Sequence, residues 1–157
     1  MIVVRVVEAA DVPEVVAHVT AVLAEFGLDF GVGSETDEAV RGLPPSYVDH
    51  GGAFWVAHAV EGDRRSLIGT CGVFPVAPGT FELRKMYLSA ASRGLGVGKR
   101  LLDEAVAWVK AHGGERIVLD TVEGMTAAIA FYERHGFVRD DSQVRGARCT
   151  RGYVRAL

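Results

Sequence analysis

Between positions 93 and 98 the chain reads Arg93-Gly94-Leu95-Gly96-Val97-Gly98, after a strand predicted over residues 81 to 88 and before an amphipathic helix predicted from about Gly98 to Ala111. Glycines let the backbone approach a ligand closely, and the amides at a helix N-terminus carry a partial positive charge that attracts anions. A P-loop needs glycine at position 93 and Ser or Thr at position 100, and a dinucleotide fingerprint needs G-x-G-x-x-G. Neither pattern is present, so the loop is predicted to bind a phosphate or pyrophosphate in a different arrangement.

The pattern Arg93-x-x-Gly96-x-Gly98 between a strand and a helix resembles the acyl-CoA pyrophosphate loop of the GNAT N-acetyltransferase superfamily. The central strand of that family is similar to the segment Glu82-Leu83-Arg84-Lys85-Met86-Tyr87-Leu88. The second signature of the family is similar to Ala130-Phe131-Tyr132-Glu133-Arg134-His135-Gly136-Phe137. The resemblance implies an acetyl-CoA-dependent N-acetyltransferase that transfers the acetyl group directly from the thioester to an amine of a small molecule or a peptide.

Hydrophobic periodicity predicts the element order β-α-loop/α-β-β-β-α-β-α-β-β. The first helix is expected to start near Asp11 and end at Phe26, whereas residues 27 to 52 show no clear period beyond one weak helix near 35 to 42. This order resembles the GNAT fold. We therefore expect an α+β (mixed α/β) fold, a single domain over residues 1–157, with a mostly antiparallel twisted sheet of six or seven strands and about four helices.

Composition and charge narrow the functional classes. The chain has 157 residues, of which 49% are hydrophobic, and its net charge is −3. Residues 1 to 63 carry eleven acids and two bases, and residues 64 to 157 carry nine acids and fifteen bases. The basic half suits a polyanionic cofactor such as coenzyme A, although a solvated surface explains the same charges, and the acidic total argues against nonspecific nucleic-acid binding.

The N-terminus is too short and too charged for a signal peptide, and no apolar run approaches the ~20 residues that span a bilayer. We therefore expect a cytoplasmic protein that does not bind membranes. The two cysteines lack a C-x-x-C spacing and the five histidines lack a metal-site spacing, so no metal site is expected. A homodimer stays open, because nothing in the sequence decides the oligomeric state.

Two side chains are predicted to be catalytic on the strength of the resemblance. An alkylamine has a pKa near ~10, so a base is needed to produce the neutral nucleophile, and Glu82 is the candidate. The alternative is a structural glutamate that is paired with Arg84. Tyr132 is the candidate acid that protonates the leaving thiolate or contacts it, and the alternative is a core tyrosine on the apolar face of its helix.

The cofactor is predicted to be acetyl-CoA. The resemblance assigns its pyrophosphate to the loop and the following turn, which comprise Arg93, Gly94, Leu95, Gly96, Val97, Gly98 and Lys99, with Arg100 as a further cation. Main-chain groups of Met86, Tyr87 and Leu88 are expected to pair with the pantetheine arm and to face the thioester carbonyl. Met125 departs from the family pattern, because many members carry asparagine seven residues before the signature tyrosine, and that side-chain contact is therefore in doubt.

The acceptor is not identified by the sequence. Residues 27 to 52 occupy the part of the chain that shapes the acceptor site in related enzymes, and their five acids suggest a positively charged amine. A solvated acidic loop also explains these acids. The aromatic residues Phe30, Tyr47, Phe54 and Trp55 equally suit the lining of an apolar pocket. Two other functions also remain open: a non-catalytic acyl-CoA-binding regulatory module, and an acyltransferase with a longer acyl donor or a hydroxyl acceptor.

Overall fold

The computed structural model describes residues 1–32 and 34–157, which form seven strands and five α-helices. The strands are β1 (Ile2–Val6), β2 (Ala53–Glu61), β3 (Arg64–Ala77), β4 (Thr80–Leu88), β5 (Arg116–Thr121), β6 (Val138–Arg139) and β7 (Arg151–Ala156). The helices are α1 (Val12–Glu25), α2 (Glu35–Arg41), α3 (Pro45–Val48), α4 (Val97–Ala111) and α5 (Thr126–Arg134). The predicted α+β fold with a sheet of six or seven strands is confirmed.

The strands form one sheet in the order β1-β2-β3-β4-β5-β7-β6. Neighbouring strands are antiparallel except β4 and β5, which are parallel and are joined through α4. The prediction of about four helices omitted α3. This helix has four residues, slightly more than one turn, so it cannot show the 3.6-residue period from which helices are recognised.

The sheet separates two apolar clusters. One lies against α1 and contains Val15, Val19 and Leu23 of that helix, and the other lies against α4 and α5. The helix α4 contributes an apolar stripe with the predicted spacing, formed by Val97, Leu101, Leu102, Ala105 and Val109. Each helix thus buries one face against the sheet, which fixes where the helix ends lie relative to the central strands.

Two irregularities of β4 shape the centre of the sheet. The strand pairs with β5 only from Thr80 to Glu82, so its continuation to Leu88 has no partner on that side. Opposite β3, the register shifts between the pairs Thr70–Tyr87 and Gly72–Arg84, which leaves two residues of β4 facing one residue of β3. Lys85 lies in this bulge with a φ of 54°, and its carbonyl accepts a hydrogen bond of 2.7 Å from the Thr70 hydroxyl.

Residues 1–32 and 34–157 contain no helix that is both long and apolar enough to cross a bilayer.

Candidate active site

Two adjoining cavities open where β4 and β5 separate. The smaller has a volume of about 210 Å³ and reaches the glycine loop at Arg93, Gly94 and Gly98, and the larger has a volume of about 470 Å³ and reaches Glu82. Five residues line both cavities: Met86, Tyr87, Met125, Ala128 and Tyr132. The smaller cavity suits an extended ligand that enters from the loop, and the larger suits a second molecule that meets it at these shared residues.

The glycine loop ends in an uncapped helix. Gly94 and Gly96 have φ values of 81° and 79°, which favour glycine, and Gly96 is the N-cap of α4 without a capping side chain. A Cβ atom at either position would meet nothing within 4 Å, so the space in front of the loop is open. The first-turn amides of α4 are therefore available to an anion.

The cations around this loop already have partners in the structure. Arg93 donates to the Glu25 carboxylate at 2.7 Å and to the Leu88 carbonyl at 3.0 Å, and so ties the loop to α1 and to the end of β4. Lys99 pairs with Asp103 at 2.6 Å on the exposed surface of α4. Arg100 donates to a carbonyl oxygen of β1 at 2.9 Å and points away from the loop. An anion here would therefore bind to the backbone amides, with Arg134 as the further cation that lines this cavity.

The unpaired edge of β4 forms the floor of the smaller cavity through Met86, Tyr87 and Leu88. One of its main-chain groups is occupied, because the Tyr87 carbonyl accepts a hydrogen bond of 2.9 Å from His18 Nε2. Burial lowers the pKa of the His18 side chain, so the imidazole is neutral near pH 7 and still donates this hydrogen bond. His18 thus fixes the position of the central strand against α1.

Tyr132 lies at the junction of the two cavities and is 6% exposed. Its ring packs edge to face against Phe131 and Phe137, with centroids 5.8 and 5.6 Å apart, so it belongs to the core as the alternative interpretation held. Burial raises the pKa of the Tyr132 hydroxyl, which therefore stays protonated at neutral pH and can donate a hydrogen bond.

Glu82 faces the larger cavity and is 4% exposed. Its Oε1 accepts a hydrogen bond of 2.6 Å from Arg84 Nε, so the predicted pairing with Arg84 exists. Its Oε2 has no hydrogen-bond partner among the described residues, although Arg145 Nη1 lies 3.7 Å away. A buried carboxylate oxygen without a partner is costly, and it is available to a ligand that donates a hydrogen bond or a proton.

A buried ion cluster holds the wall of the larger cavity. The Asp37 side chain is 0% exposed and accepts hydrogen bonds from Lys85, from both terminal nitrogens of Arg148 at 3.0 and 3.1 Å, and from the Gly31 amide at 2.8 Å. Burial opposes ionisation of Asp37, but these hydrogen bonds outweigh it and lower the pKa of the carboxyl. Burial also lowers the pKa of Lys85. The three groups that donate to Asp37 keep the ion pair of Asp37 and Lys85 charged. The cluster joins α2, which carries Asp37, to the β4 bulge at Lys85 and to the β6–β7 loop at Arg148.

The acceptor region differs from the sequence-based expectations. Of the five acids between residues 27 and 52, Glu35 alone lines the larger cavity, and Asp37 is neutralised behind it. None of the four aromatic candidates lines either cavity, and Tyr47 and Phe54 instead pack edge to face in the core at 5.3 Å.

Several charged residues of the site were not assigned a role from the sequence, although Lys85 and Arg134 lie within the two motif segments and Asp37 is one of the five acids of residues 27 to 52. They are Asp37, Lys85, Arg134, Arg145 and Arg148, together with Asp120, whose Oδ2 accepts 2.7 Å hydrogen bonds from the amides of Arg145 and Gly146. Arg134 is the last residue of α5 and lines the smaller cavity. Only the charge of these residues could have indicated them, and charge alone does not identify a partner.

Comparison with known proteins identifies the family of this chain. The model of the acetyltransferase (GNAT) family matches residues 17–137. YjgM of Escherichia coli (strain K12), named an uncharacterized N-acetyltransferase, is 33% identical over 135 residues, which are 83% of this chain and 78% of that protein. The chain therefore belongs to the GNAT family of acetyltransferases, whose acyl donor is acetyl-CoA.

Solved structures share the fold across the whole chain. An acetyltransferase of the GNAT family from Staphylococcus aureus Mu50 matches with a TM-score of 0.90 at 22% identity and covers 100% of this chain and 99% of its own. The PaiA N-acetyltransferase from Thermoplasma acidophilum, solved in complex with coenzyme A, matches with a TM-score of 0.77 at 19% identity, with coverage of 100% and 99%.

Proposed function

We propose that the protein, as one domain over residues 1–157, is an acetyl-CoA-dependent N-acetyltransferase that transfers the acetyl group directly to an amine. The observation that carries this proposal is the junction of the two cavities. A buried carboxylate oxygen of Glu82 without a hydrogen-bond partner faces one cavity, and the protonated phenol of Tyr132 lies where the two cavities meet. These are the base and the acid that an acyl transfer to an amine requires.

The smaller cavity fits the cofactor. The open space in front of Gly94 and Gly96 and the uncapped amides of α4 suit a pyrophosphate, and the unpaired edge of β4 suits an extended amide-containing arm. Met125 replaces the frequent asparagine and lines the same cavity with an apolar surface, so that the arm would be held by backbone groups. Acetyl-CoA supplies an acetyl group that is activated as a thioester.

The chain's own residues provide the proton transfers. Glu82 accepts a proton from the acceptor amine as the nitrogen forms its bond to the acyl carbon. Backbone amides near Met86 stabilise the negative charge that develops on the carbonyl oxygen. Tyr132 donates its proton to the sulfur as the carbon–sulfur bond breaks, and the products are an amide and a free thiol. The reaction needs neither a metal ion nor a covalent enzyme intermediate.

The cofactor site is tested with a matched pair of glycine variants at the two ends of α4. Gly96 and Gly113 both have a φ of 79° and open space at the Cβ position, so valine should cause similar backbone strain at both. Calorimetric titration with acetyl-CoA is expected to give one site per chain for the wild type and for Gly113→Val. The affinity of Gly96→Val should fall by at least 10-fold, because the side chain blocks the loop. Equal affinity of the two variants would contradict the assignment.

Catalysis is tested by the release of free thiol from acetyl-CoA in the presence of a panel of amines. Turnover that Glu82→Gln reduces without a change in acetyl-CoA affinity would support the proposed mechanism. Saturable binding of acetyl-CoA without turnover on any amine would favour a regulatory binding module. Faster turnover with a longer acyl-CoA would mean that the acyl donor is not acetyl-CoA, while the assignment of the cofactor site would stand. No binding by the folded protein would refute the function itself.

A further inference from the structure

The wall of the larger cavity carries more hydrogen-bond donors than its own carboxylates bind. Its charged lining residues are four cations, namely Arg84, Lys85, Arg145 and Arg148, and three acids, namely Glu35, Glu82 and Asp120. Glu82 lies between Arg84 and Arg145, at 2.6 and 3.7 Å, and Asp37 behind the wall is shared by Lys85 and Arg148. Each of these two buried carboxylates thus serves two cations.

Arg145 is the cation on this wall with unused capacity. Its Nη1 lies 3.1 Å from the Gln143 carbonyl and 3.3 Å from the Gln143 side-chain oxygen. Its Nε and Nη2 have no hydrogen-bond partner in the described part of the chain, and its side chain is 41% exposed. The loop beneath it is held by Asp120, which accepts hydrogen bonds from two consecutive amides. The guanidinium is therefore held in place while part of its fork remains free.

We infer that the acceptor is an amine that carries a carboxylate close to its nitrogen, as an α-amino acid does, and that Arg145 binds this carboxylate. The inference rests on the proposed function. Arginine binds carboxylates with two parallel hydrogen bonds, so its free nitrogens suit this group. Because Glu82 Oε2 lies 3.7 Å from Arg145 Nη1, the base and the cation contact groups that are separated by only one or two carbon atoms.

This acceptor differs from the cationic amine that the acidic residues of the 27 to 52 segment suggest. Among those five acids only Glu35 lines the cavity, and it is exposed at the rim. A second positive charge on the acceptor would lie near four cations of the wall. A carboxylate in the same position is attracted by Arg145, which has free nitrogens, whereas Arg84, Lys85 and Arg148 already pair with Glu82 and Asp37. The volume of about 470 Å³ leaves room for the side chain of an amino acid.

The experiment compares the twenty common L-amino acids with their α-amides as acceptors, using thiol release from acetyl-CoA to measure kcat/KM. For the amino acid that reacts best, the kcat/KM of the wild type is expected to be at least 10-fold higher with the free acid than with the α-amide. Arg145→Gln should reduce this ratio by about 10- to 100-fold, since it removes a charge-assisted interaction. Arg145→Lys should keep part of the acid-to-amide ratio, because lysine retains the positive charge but lacks the two parallel N–H donors of the guanidinium.

The matched control is Arg64→Gln, the same substitution at an exposed arginine. Arg64 lies in the β2–β3 hairpin, at the other end of β3 from Phe74, the residue that pairs with Glu82. This variant should leave the ratio of acid to amide unchanged. Calorimetry of the same panel against the protein saturated with CoA reports binding of the acid whether or not turnover follows, and Arg145→Gln should weaken it.

The possible failures can be distinguished. If acetyl-CoA binds and amides react as well as acids, or if Arg145→Gln leaves the ratio unchanged, the inferred acceptor is wrong and the acetyltransferase proposal stands. If acetyl-CoA binds and no amino acid binds at 10 mM, on the order of a hundred times weaker than ordinary substrates, the inference is also wrong. If acetyl-CoA itself does not bind, the proposed function fails first.

Discussion

Replacement of Asp37 by asparagine tests the ion cluster that holds the acceptor wall together. The variant keeps the shape of the side chain but removes the negative charge that Lys85 and Arg148 share. Lys85 is 7% exposed, so its ammonium would lose its anion without gaining full access to water. Removal of one partner of a buried ion pair costs about 3–5 kcal/mol. The unfolding free energy falls with urea by about 2 kcal/mol per molar, so the urea concentration at the unfolding midpoint should fall by roughly 1.5–2.5 M.

The assay is urea unfolding followed by circular dichroism, with Glu38→Gln as the control on the same helix. Glu38 pairs with Arg41 at 3.8 Å and both side chains are more than half exposed, so this control should shift the midpoint by less than about 0.5 M. A double variant, Asp37→Asn with Lys85→Met, should recover part of the loss because it removes a buried cation as well. A midpoint for Asp37→Asn within 0.5 M of wild type, roughly the effect of a surface pair, would refute the reasoning.

The same cluster should give the stability a defined pH dependence. The folded-state pKa of Asp37 is lowered below its ordinary value of 3.8, so its contribution is fully present above that value. The contribution is lost as the pH falls through the lower folded-state pKa. The difference in unfolding free energy between wild type and Asp37→Asn should therefore be constant from pH 8 to pH 5 and should narrow below about pH 4.

Three further predictions concern the reaction and the cofactor site. Glu82→Gln should lower kcat by about 100-fold or more, with acetyl-CoA affinity within twofold in calorimetry. An unchanged kcat would exclude Glu82 as the base. Tyr132→Phe should lower kcat by about 10-fold or more in steady-state assays while the melting temperature changes by only a few degrees, and full turnover would leave Tyr132 as a core residue. Gly98→Val should weaken acetyl-CoA binding and also lower the melting temperature, because its Cβ atom would already lie 3.3 Å from Leu88 and Phe131.

The fold was largely predictable because its elements are long and regular. Strands β2 to β5 and helices α1, α4 and α5 repeat apolar residues with the periods that burial of one face requires. The element that escaped prediction, α3, is too short to have a period. Helix α1 begins next to Asp11, as expected, but the Asp11 side chain makes no capping hydrogen bond to it. The Asp11 carboxylate instead accepts from Arg5 and from the Glu8 amide, because residues 9 to 11 form a 3-10 turn before the helix.

The candidate site was predictable only where local geometry decides it. The glycine loop needs positive φ at Gly94 and Gly96, and this requirement is visible in the sequence. The acceptor wall depends on contacts between residues far apart along the chain, such as Asp37 with Arg148, which are 111 positions apart. Long-range ion pairs leave no periodic pattern. The charge of Asp37 therefore suggested an acidic site, whereas in the structure Lys85 and Arg148 neutralise it.

The bulge in β4 explains how one strand serves both cavities. Before the bulge, Phe81 and Leu83 face the core beside α4, so odd-numbered residues share that side. After the bulge, Met86 and Leu88 face this core, whereas Tyr87 packs in the cluster beside α1. The extra residue in the bulge therefore reverses which side chains of β4 face each side of the sheet. In the sequence, the consecutive charged residues Arg84 and Lys85 already interrupt the alternation of apolar and polar residues.

The reversal has a consequence for the chemistry. The Glu82 side chain is directed to the larger cavity before the bulge, and the main chain from Met86 onward forms the floor of the smaller cavity after it. Both groups are held rigidly on the same strand, only four residues apart. A regular strand would keep Met86 on the side of Glu82, because residues an even number apart share a face. The Thr70 hydroxyl and the ion pair of Lys85 with Asp37 stabilise the irregular conformation, so the wall that contacts the acceptor also fixes the strand that would contact the thioester.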